Sequence, residues 1–268
     1  MTTTTLTVIG GGKMGEALVG GLISAEWMAP GDIAVVEPVD ARREELAKAH
    51  DGLQVVAGLE DLEGVTDVLV AVKPDHCEQV CSALGGTAVV RVLSIAAGVT
   101  TASLESWLPD GTRVVRAMPN TPALVGCGMA AITGGSTATM DDLGWASEIL
   151  ASVGEVVTLD EAALDAVTGL SGSGPAYVFL LAEALTSAGV AVGLERSTAD
   201  TLTRQTLLGA ARLLVESGED PAQLRRNVTS PGGTTAAGLA VFEERGFTEL
   251  VAAVVAAATH RSRELGAT

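Results

Sequence analysis

The sequence predicts an α/β protein, a doubly wound sheet followed by an all-helical segment, and three observations carry that expectation. Leu6, Thr7, Val8 and Ile9 form an apolar, β-branched run that leads straight into Gly10, Gly11, Gly12, Lys13, Met14 and Gly15. Strand and helix signals then alternate as far as Asp160. From Ala162 onward β-type alternation disappears and long Ala/Leu/Val helical periodicities take over. The expected division is therefore residues 1–160 and residues 161–268, with no polar linker between them, so that the two halves pack tightly.

The opening run matches the strand, G-x-G-x-x-G turn and helix that bind a dinucleotide. Gly10 permits the tight bend, Gly12 leaves bare backbone for a pyrophosphate, and Gly15 lets the next helix approach the sheet. That helix is expected over Met14–Ser24, with its free N–H groups and positive dipole end at the turn. An ordinary glycine-rich turn is the plainer alternative. Ile33 to Val36 answers it with a second strand ending at Glu37, about twenty residues on, where a carboxylate accepts from an adenosine ribose. The first domain is thus read as Rossmann-type.

Further along, a helix is expected over Ala41–His50 and strands at Leu53–Val56, Val68–Val72, Val89–Ile95, Val114–Ala117, Met129–Thr133 and Val156–Leu159. Helices are expected over Ala176–Val190, Ser197–Ser217, Pro221–Val228, Thr234–Arg245 and Leu250–Leu265. Their apolar faces are broad, with Leu207, Leu208, Ala211, Leu214 and Val215 in one and Val251, Val254, Val255 and Ala258 in another. One thin helical domain would struggle to bury them, which points to a homo-oligomer joined through the helices.

A formal charge of −17 argues against nucleic acid or an anionic membrane as partner. No basic region precedes an N-terminal apolar run, so the chain reads as cytoplasmic. Tyr177–Leu194 is the most membrane-like stretch, but Glu183, Ser187 and two glycines make a buried helix the better expectation. Cys77, Cys81 and Cys127 have no second pair or histidine cluster to complete a metal site, so no metal is expected and the three read as reduced, core-type thiols.

Several polar residues stand at expected strand ends. Lys73, pinned by Pro74, follows Val72 into the crevice or is a solvated turn lysine. Ser94, Ala96, Ala97 and Gly98 let a flat ring approach the backbone, or make a tight turn. Arg116 to Pro122 delivers an amide and a hydroxyl on a proline-stiffened loop, with Arg116 a site residue or an ion-pair partner. Ser171 to Ala176 reads as an ordinary helix start. Thr229 to Thr235 is more informative, because it gathers two glycines and four hydroxyls where helix N–H groups are exposed, an arrangement that grips a small carboxylate.

The missing residues narrow the chemistry. Lys13, Lys48 and Lys73 are the only lysines, His50, His76 and His260 the only histidines, and Tyr177 the sole tyrosine. An alcohol dehydrogenase needs such a group to take a proton, and none lies in the helical half's conspicuous turns. A protonated imine is already electrophilic, so its reduction needs orientation and a modest hydrogen-bonding group such as a threonine hydroxyl. Glu183 is a candidate raised-pKa acid, with a capping or interdomain hydrogen bond as its plainer role.

Taken together, Gly10–Gly15, Val72-Lys73-Pro74, Ser94–Thr100, Arg116–Pro122, Ser171–Tyr177 and above all Pro221–Glu243 resemble the pyrroline-5-carboxylate reductase family. The last segment follows the family signature at Leu224, Val228, Thr229, Ser230, Gly233, Thr235, Gly238, Leu239, Phe242 and Glu243. The resemblance implies reduction of L-1-pyrroline-5-carboxylate to L-proline by hydride from NADPH or NADH. It implies cofactor contacts from Gly10, Gly12, Lys13, Met14, Gly15, Glu37, Val72, Lys73, Pro74, Ala96, Ala97, Gly98, Met118 and Asn120. Ser230, Gly232, Gly233 and Thr234 would hold the substrate carboxylate, and Thr235 and Lys73 would be catalytic, Thr235 hydrogen-bonding the ring nitrogen. Family members dimerise through interlocked helices, some forming decamers, and a neighbour's helices complete the active site. A 3-hydroxyacid dehydrogenase of similar build would need a lysine in the helical half, and none occurs after Lys73. A nucleotide-sensing oligomer without turnover stays open as the non-enzymatic alternative.

One departure from the family concerns the cofactor. Where relatives often carry a polar or basic pair suited to a 2′-phosphate, this chain has Glu37-Pro38, with Arg42 and Arg43 further on. A carboxylate favours NADH, while arginines that swing in would admit NADPH, so use of both is expected.

Overall fold

The computed structural model describes residues 6–266. Its core is an eight-stranded sheet in the order β3-β2-β1-β4-β5-β6-β7-β8. The strands are β1 (Leu6–Ile9), β2 (Ile33–Val36), β3 (Gln54–Val56), β4 (Asp67–Val70), β5 (Arg91–Ser94), β6 (Arg113–Met118), β7 (Gly128–Gly134) and β8 (Gly154–Thr158). Helices α1 (Lys13–Ser24), α2 (Asp40–Ala49), α3 (Cys77–Ala83), α4 (Thr101–Trp107) and α5 (Met140–Ala151) cover it. Alternate strand residues feed two separate cores. Leu69 and Val115 pack with Leu18, Leu22, Leu46 and Ile149 on one face, while Val68, Val70 and Val114 pack with Cys77, Cys81 and Leu104 on the other. Burial on both faces is why these strands read as continuous apolar runs.

The expected elements are all present, with ends shifted by up to three residues. One pairing was not anticipated. β7 runs antiparallel to β6, with Met118 opposite Ala131. Only residues 119–127 connect the two, too few for a crossover helix, and a short 3₁₀ turn over Thr121–Val125 reverses the chain at Gly126, whose φ is +70°. α5 opens on a reciprocal cap in which the Thr139 N–H donates to Asp142 Oδ2 at 2.9 Å and the Asp142 N–H donates to Thr139 Oγ1 at 3.4 Å.

The described chain packs as two compact units. One runs through Ser173 and also takes in the chain from Ala257 onward; the other is Gly174–Ala256. The first therefore includes α6 (Leu164–Val167), a π-helical turn over Thr168–Gly172 and the end of α11 (Phe247–Gly266), where Ser262 Oγ donates to Asp165 Oδ1 at 2.7 Å. The helix expected to begin near Ser171 is already under way there, because the π turn carries the chain on from α6.

The second unit consists of α7 (Gly174–Ala191), α8 (Arg196–Ser217), α9 (Pro221–Asn227), α10 (Thr234–Glu244) and the start of α11. Gly218 at φ +64° ends α8, and Asp220 caps α9 by accepting from the Ala222 N–H at 2.9 Å. The expectation of a buried α7 is corrected. Val178, Phe179 and Leu180 are 50, 62 and 65% exposed, because the chain's own helices are too few to cover that face. Glu161–Ala191 is one helical run long and apolar enough to cross a membrane, by length and composition alone.

Candidate active site

The turn after β1 lies at the point where the sheet order departs from β1 to β2 on one side and to β4 on the other, the crevice where open α/β sheets bind ligands. Gly10 has φ +108°, and a Cβ there would stand 2.6 Å from the Ala71 carbonyl oxygen. A Cβ on Gly15 would fall on the Gly10 carbonyl oxygen, so the strand and α1 meet backbone to backbone. Gly12 is different, with open space within 4 Å of where its Cβ would be, and no side chain caps α1. Open backbone at an uncapped helix N-terminus fits a dinucleotide's pyrophosphate. Lys13 is exposed at the first position of α1, and Met14 packs against the core.

Glu37 is 8% exposed directly after β2. Its Oε2 accepts from the Gly11 N–H at 3.0 Å and its Oε1 from the Val39 N–H at 2.9 Å. Arg42 donates from Nε to the Gly11 carbonyl at 2.7 Å and from Nη2 to Glu16 at 2.6 Å. Gly11, Glu16 and Arg42 form a network with Glu37 that the sequence reading did not include. Gly11 was visible in the glycine run, but no local signal joins it to Arg42, 31 positions away.

The remaining predicted residues gather at the carboxyl ends of β4, β5 and β6. β4 ends at Val70, two residues earlier than expected, so Ala71 and Val72 already line the turn, and Val72 Cγ1 lies 3.1 Å from the Cβ position of Gly10. Lys73 and Pro74 are exposed, and the Lys73 carbonyl accepts from the His76 N–H at 3.0 Å. Ala96 is buried, with its N–H donating to Ser94 Oγ at 3.3 Å; Ala97 is exposed. Gly98, at φ +78°, faces Leu265 of the chain's last helical turn. Ala97 and Gly98, together with Thr168, Ser173 and Ser262, line a cavity of about 200 Å³.

Met118 ends β6 with its methyl group against Gly172. Asn120 is held at both ends of its amide, accepting from the Met129 N–H at 2.9 Å and donating to the Ser171 carbonyl at 3.1 Å. It ties the β6–β7 loop to the π turn, a helical irregularity of the kind that collects at functional sites.

In the second unit, the turn before α10 is built as the sequence suggests. The Gly233 N–H donates to the Ser230 carbonyl at 3.0 Å, and Gly232 takes φ +70°. Ser230, Thr234 and Thr235 are exposed, and α10 begins at Thr234 with no side chain capping it. An uncapped helix start bearing hydroxyls suits a carboxylate.

Five residues singled out in the sequence fall outside these clusters. Arg116 is 5% exposed and pairs with Glu161 at 2.8 Å, which makes it the ion-pair partner rather than a site residue. Glu183 is exposed on α7. Burial raises the thiols of Cys77 and Cys81 to about 11 and about 12, so both stay protonated at neutral pH. Cys127, expected in the core with them, is exposed instead, because it lies in the reversal between β6 and β7.

A family model described as pyrroline-5-carboxylate reductase dimerisation matches residues 161–265, and one described as NADP oxidoreductase, coenzyme F420-dependent, matches residues 5–98. A pyrroline-5-carboxylate reductase from Synechocystis sp. is 46% identical over 97% of this chain and 98% of its own length. The chain belongs to the pyrroline-5-carboxylate reductase family. The structure of a pyrroline-5-carboxylate reductase from Coxiella burnetii superposes with a TM-score of 0.91 at 38% identity, over 99% of this chain and all of that one. The Plasmodium falciparum pyrroline carboxylate reductase, solved with NADP bound, gives 0.85 at 30% identity over 99% of each chain.

Proposed function

We propose that this chain reduces L-1-pyrroline-5-carboxylate to L-proline with NADH or NADPH, the last step of proline biosynthesis. The observation that carries the proposal is end-to-end similarity to one reductase family in a chain that keeps an uncapped, glycine-opened helix start in each unit. When bound, the reduced nicotinamide supplies the hydride.

Gly10, Gly12 and Gly15 with the start of α1 hold the pyrophosphate, and Glu37 takes the adenosine ribose. Val72, Lys73, Pro74, Ala96, Ala97, Gly98, Met118 and Asn120 border the rest of the cofactor. Ser230, Gly232, Gly233 and Thr234 grip the substrate carboxylate. Reduction leaves a proton on the ring nitrogen, so the group facing it must serve both a protonated imine and an amine. A hydroxyl both donates and accepts, which suits Thr235. Lys73, exposed in the turn after β4, is the second catalytic position in this reading.

The roles proposed are dinucleotide binding for residues 1–160 and substrate binding with oligomerisation for residues 161–268, with the compact units dividing at Ser173 and Ala257 rather than at residue 160. The exposed apolar faces of α7, α8, α10 and α11 support a homodimer or larger assembly, and the compartment proposed for it is the cytoplasm. Loss of reduced-nicotinamide absorbance with pyrroline-5-carboxylate, run with each cofactor, tests the reading. Binding of both nucleotides without turnover would leave a sensing oligomer in its place.

A further inference from the structure

We propose that the β1–α1 turn and the start of α2 form a filter against a 2′-phosphate, so that this chain prefers NADH and Arg42 is kept from acting as a phosphate ligand. The inference rests on the reading that the turn binds a nicotinamide dinucleotide.

Glu37 occupies the end of the second strand, the position that in this fold accepts from ribose hydroxyls. Both its oxygens already accept backbone N–H groups, from Gly11 and Val39. Those two donors fix the side chain in place and resist its turning away. Gly11 is pressed into the same junction, since a Cβ there would come 2.5 Å from Leu46 Cδ1 and 3.2 Å from Glu37 Cβ. A 2′-phosphate adds roughly two negative charges, and a fixed carboxylate repels it.

The two nearby arginines are both committed elsewhere. All three nitrogens of the Arg42 guanidinium have partners: Nε on the Gly11 carbonyl at 2.7 Å, Nη2 on Glu16 at 2.6 Å and Nη1 on Glu45 at 2.8 Å. Its hydrogen bonds to Glu16 and then Glu45 raise its pKa above the usual arginine value. Arg43 donates to the Glu37 carbonyl at 2.9 Å and to Asp40. The side chains tied into this network are four carboxylates and two guanidiniums. To swing toward a phosphate Arg42 would have to leave two carboxylates and a carbonyl, and Arg43 one carboxylate and a carbonyl, so the opening expected from the sequence is closed.

Dissociation constants of NADH and NADPH for the full chain, read by isothermal titration calorimetry, test the filter without reference to turnover. NADH should bind about tenfold or more tightly than NADPH, the difference a misplaced like charge produces. Replacing both guanidinium partners, Glu16→Gln with Glu45→Gln, should tighten NADPH several-fold and leave NADH unchanged. Adding Arg42→Met to that pair should abolish the gain, and thermal melts report whether each variant is folded. Equal or tighter NADPH binding by the unaltered chain would overturn the filter. So would a gain that survives Arg42→Met, since it would then come from removing negative charge alone. Binding of neither nucleotide would overturn the dinucleotide reading and the filter with it, an outcome distinct from the other two.

Discussion

Glu161 accepts from both the Thr101 N–H and the Arg116 guanidinium at 2.8 Å through one oxygen, and from the Thr101 hydroxyl at 2.7 Å through the other. Burial raises its pKa, but the Thr101 hydrogen bonds and the Arg116 charge outweigh that and leave it below the usual carboxylate value. A depressed folded-state pKa means that Glu161 stabilises the fold above the ordinary carboxylate range, and that this contribution fades as pH falls through the lowered value. Glu161→Gln should therefore cost about 1–3 kcal/mol at neutral pH, less than a fully buried pair because the side chain is 33% exposed, and should flatten the acid limb of a stability-versus-pH curve. For the role proposed for Thr235 at the ring nitrogen, Thr235→Ala should lower kcat about tenfold or more, the effect of losing a transition-state hydrogen bond of ~1.5 kcal/mol. Unchanged turnover would point to water as the group at the ring nitrogen. The turn that carries Thr235 was legible because it is contiguous in sequence. Arg116 was left open between two roles because its partner lies 45 positions away, and no periodicity encodes such a pairing.

The elements themselves were legible where one local rule decides them. The β1 strand and its glycine turn follow from steric need, and Gly15→Ala tests that need directly. The new Cβ would land on the Gly10 carbonyl oxygen, so either α1 withdraws from the sheet or the turn opens. The expected result is a loss of about 1–3 kcal/mol in stability, as for other overpacked sites, together with dinucleotide binding too weak to titrate. Full retention of nucleotide affinity would show that close strand-to-helix approach is not what the glycine provides. The capping box of α5 should respond more mildly, with Thr139→Ala lowering stability by about 1 kcal/mol in a denaturant titration. β7 was legible as a strand but not in its direction, because direction is set by the short connection over 119–127 rather than by the strand's composition. The π turn at Thr168–Gly172 was hidden for the opposite reason. Its glycines and serines read equally well as a helix start, and only continuity with α6 shows that the helix has already begun.

At the scale of the molecule, the helical unit leaves unusual amounts of apolar surface uncovered. Phe179, Leu180, Val192, Val215 and Val241 are each more than half exposed, and Leu181, Leu239, Phe242 and Phe247 line an open trough of about 780 Å³. A soluble monomer rarely exposes contiguous patches of this kind, and the matched family model over residues 161–265 is one described by dimerisation. A second copy of the chain is the occupant we propose. If folding and assembly are coupled, stability depends on protein concentration, so the melting temperature should rise over a dilution series from low to high micromolar. Replacing Phe179 with Asp and Leu180 with Asp places two charges on the face that the partner would desolvate, at a cost no isolated helix surface would feel. Sedimentation velocity should then show the assembly shifted toward a single-chain species, with lower thermal stability and with nucleotide affinity at the β1–α1 turn retained. A wild-type chain that sediments as a monomer, with a melting temperature indifferent to dilution, would instead require these faces to be met by something other than a second copy.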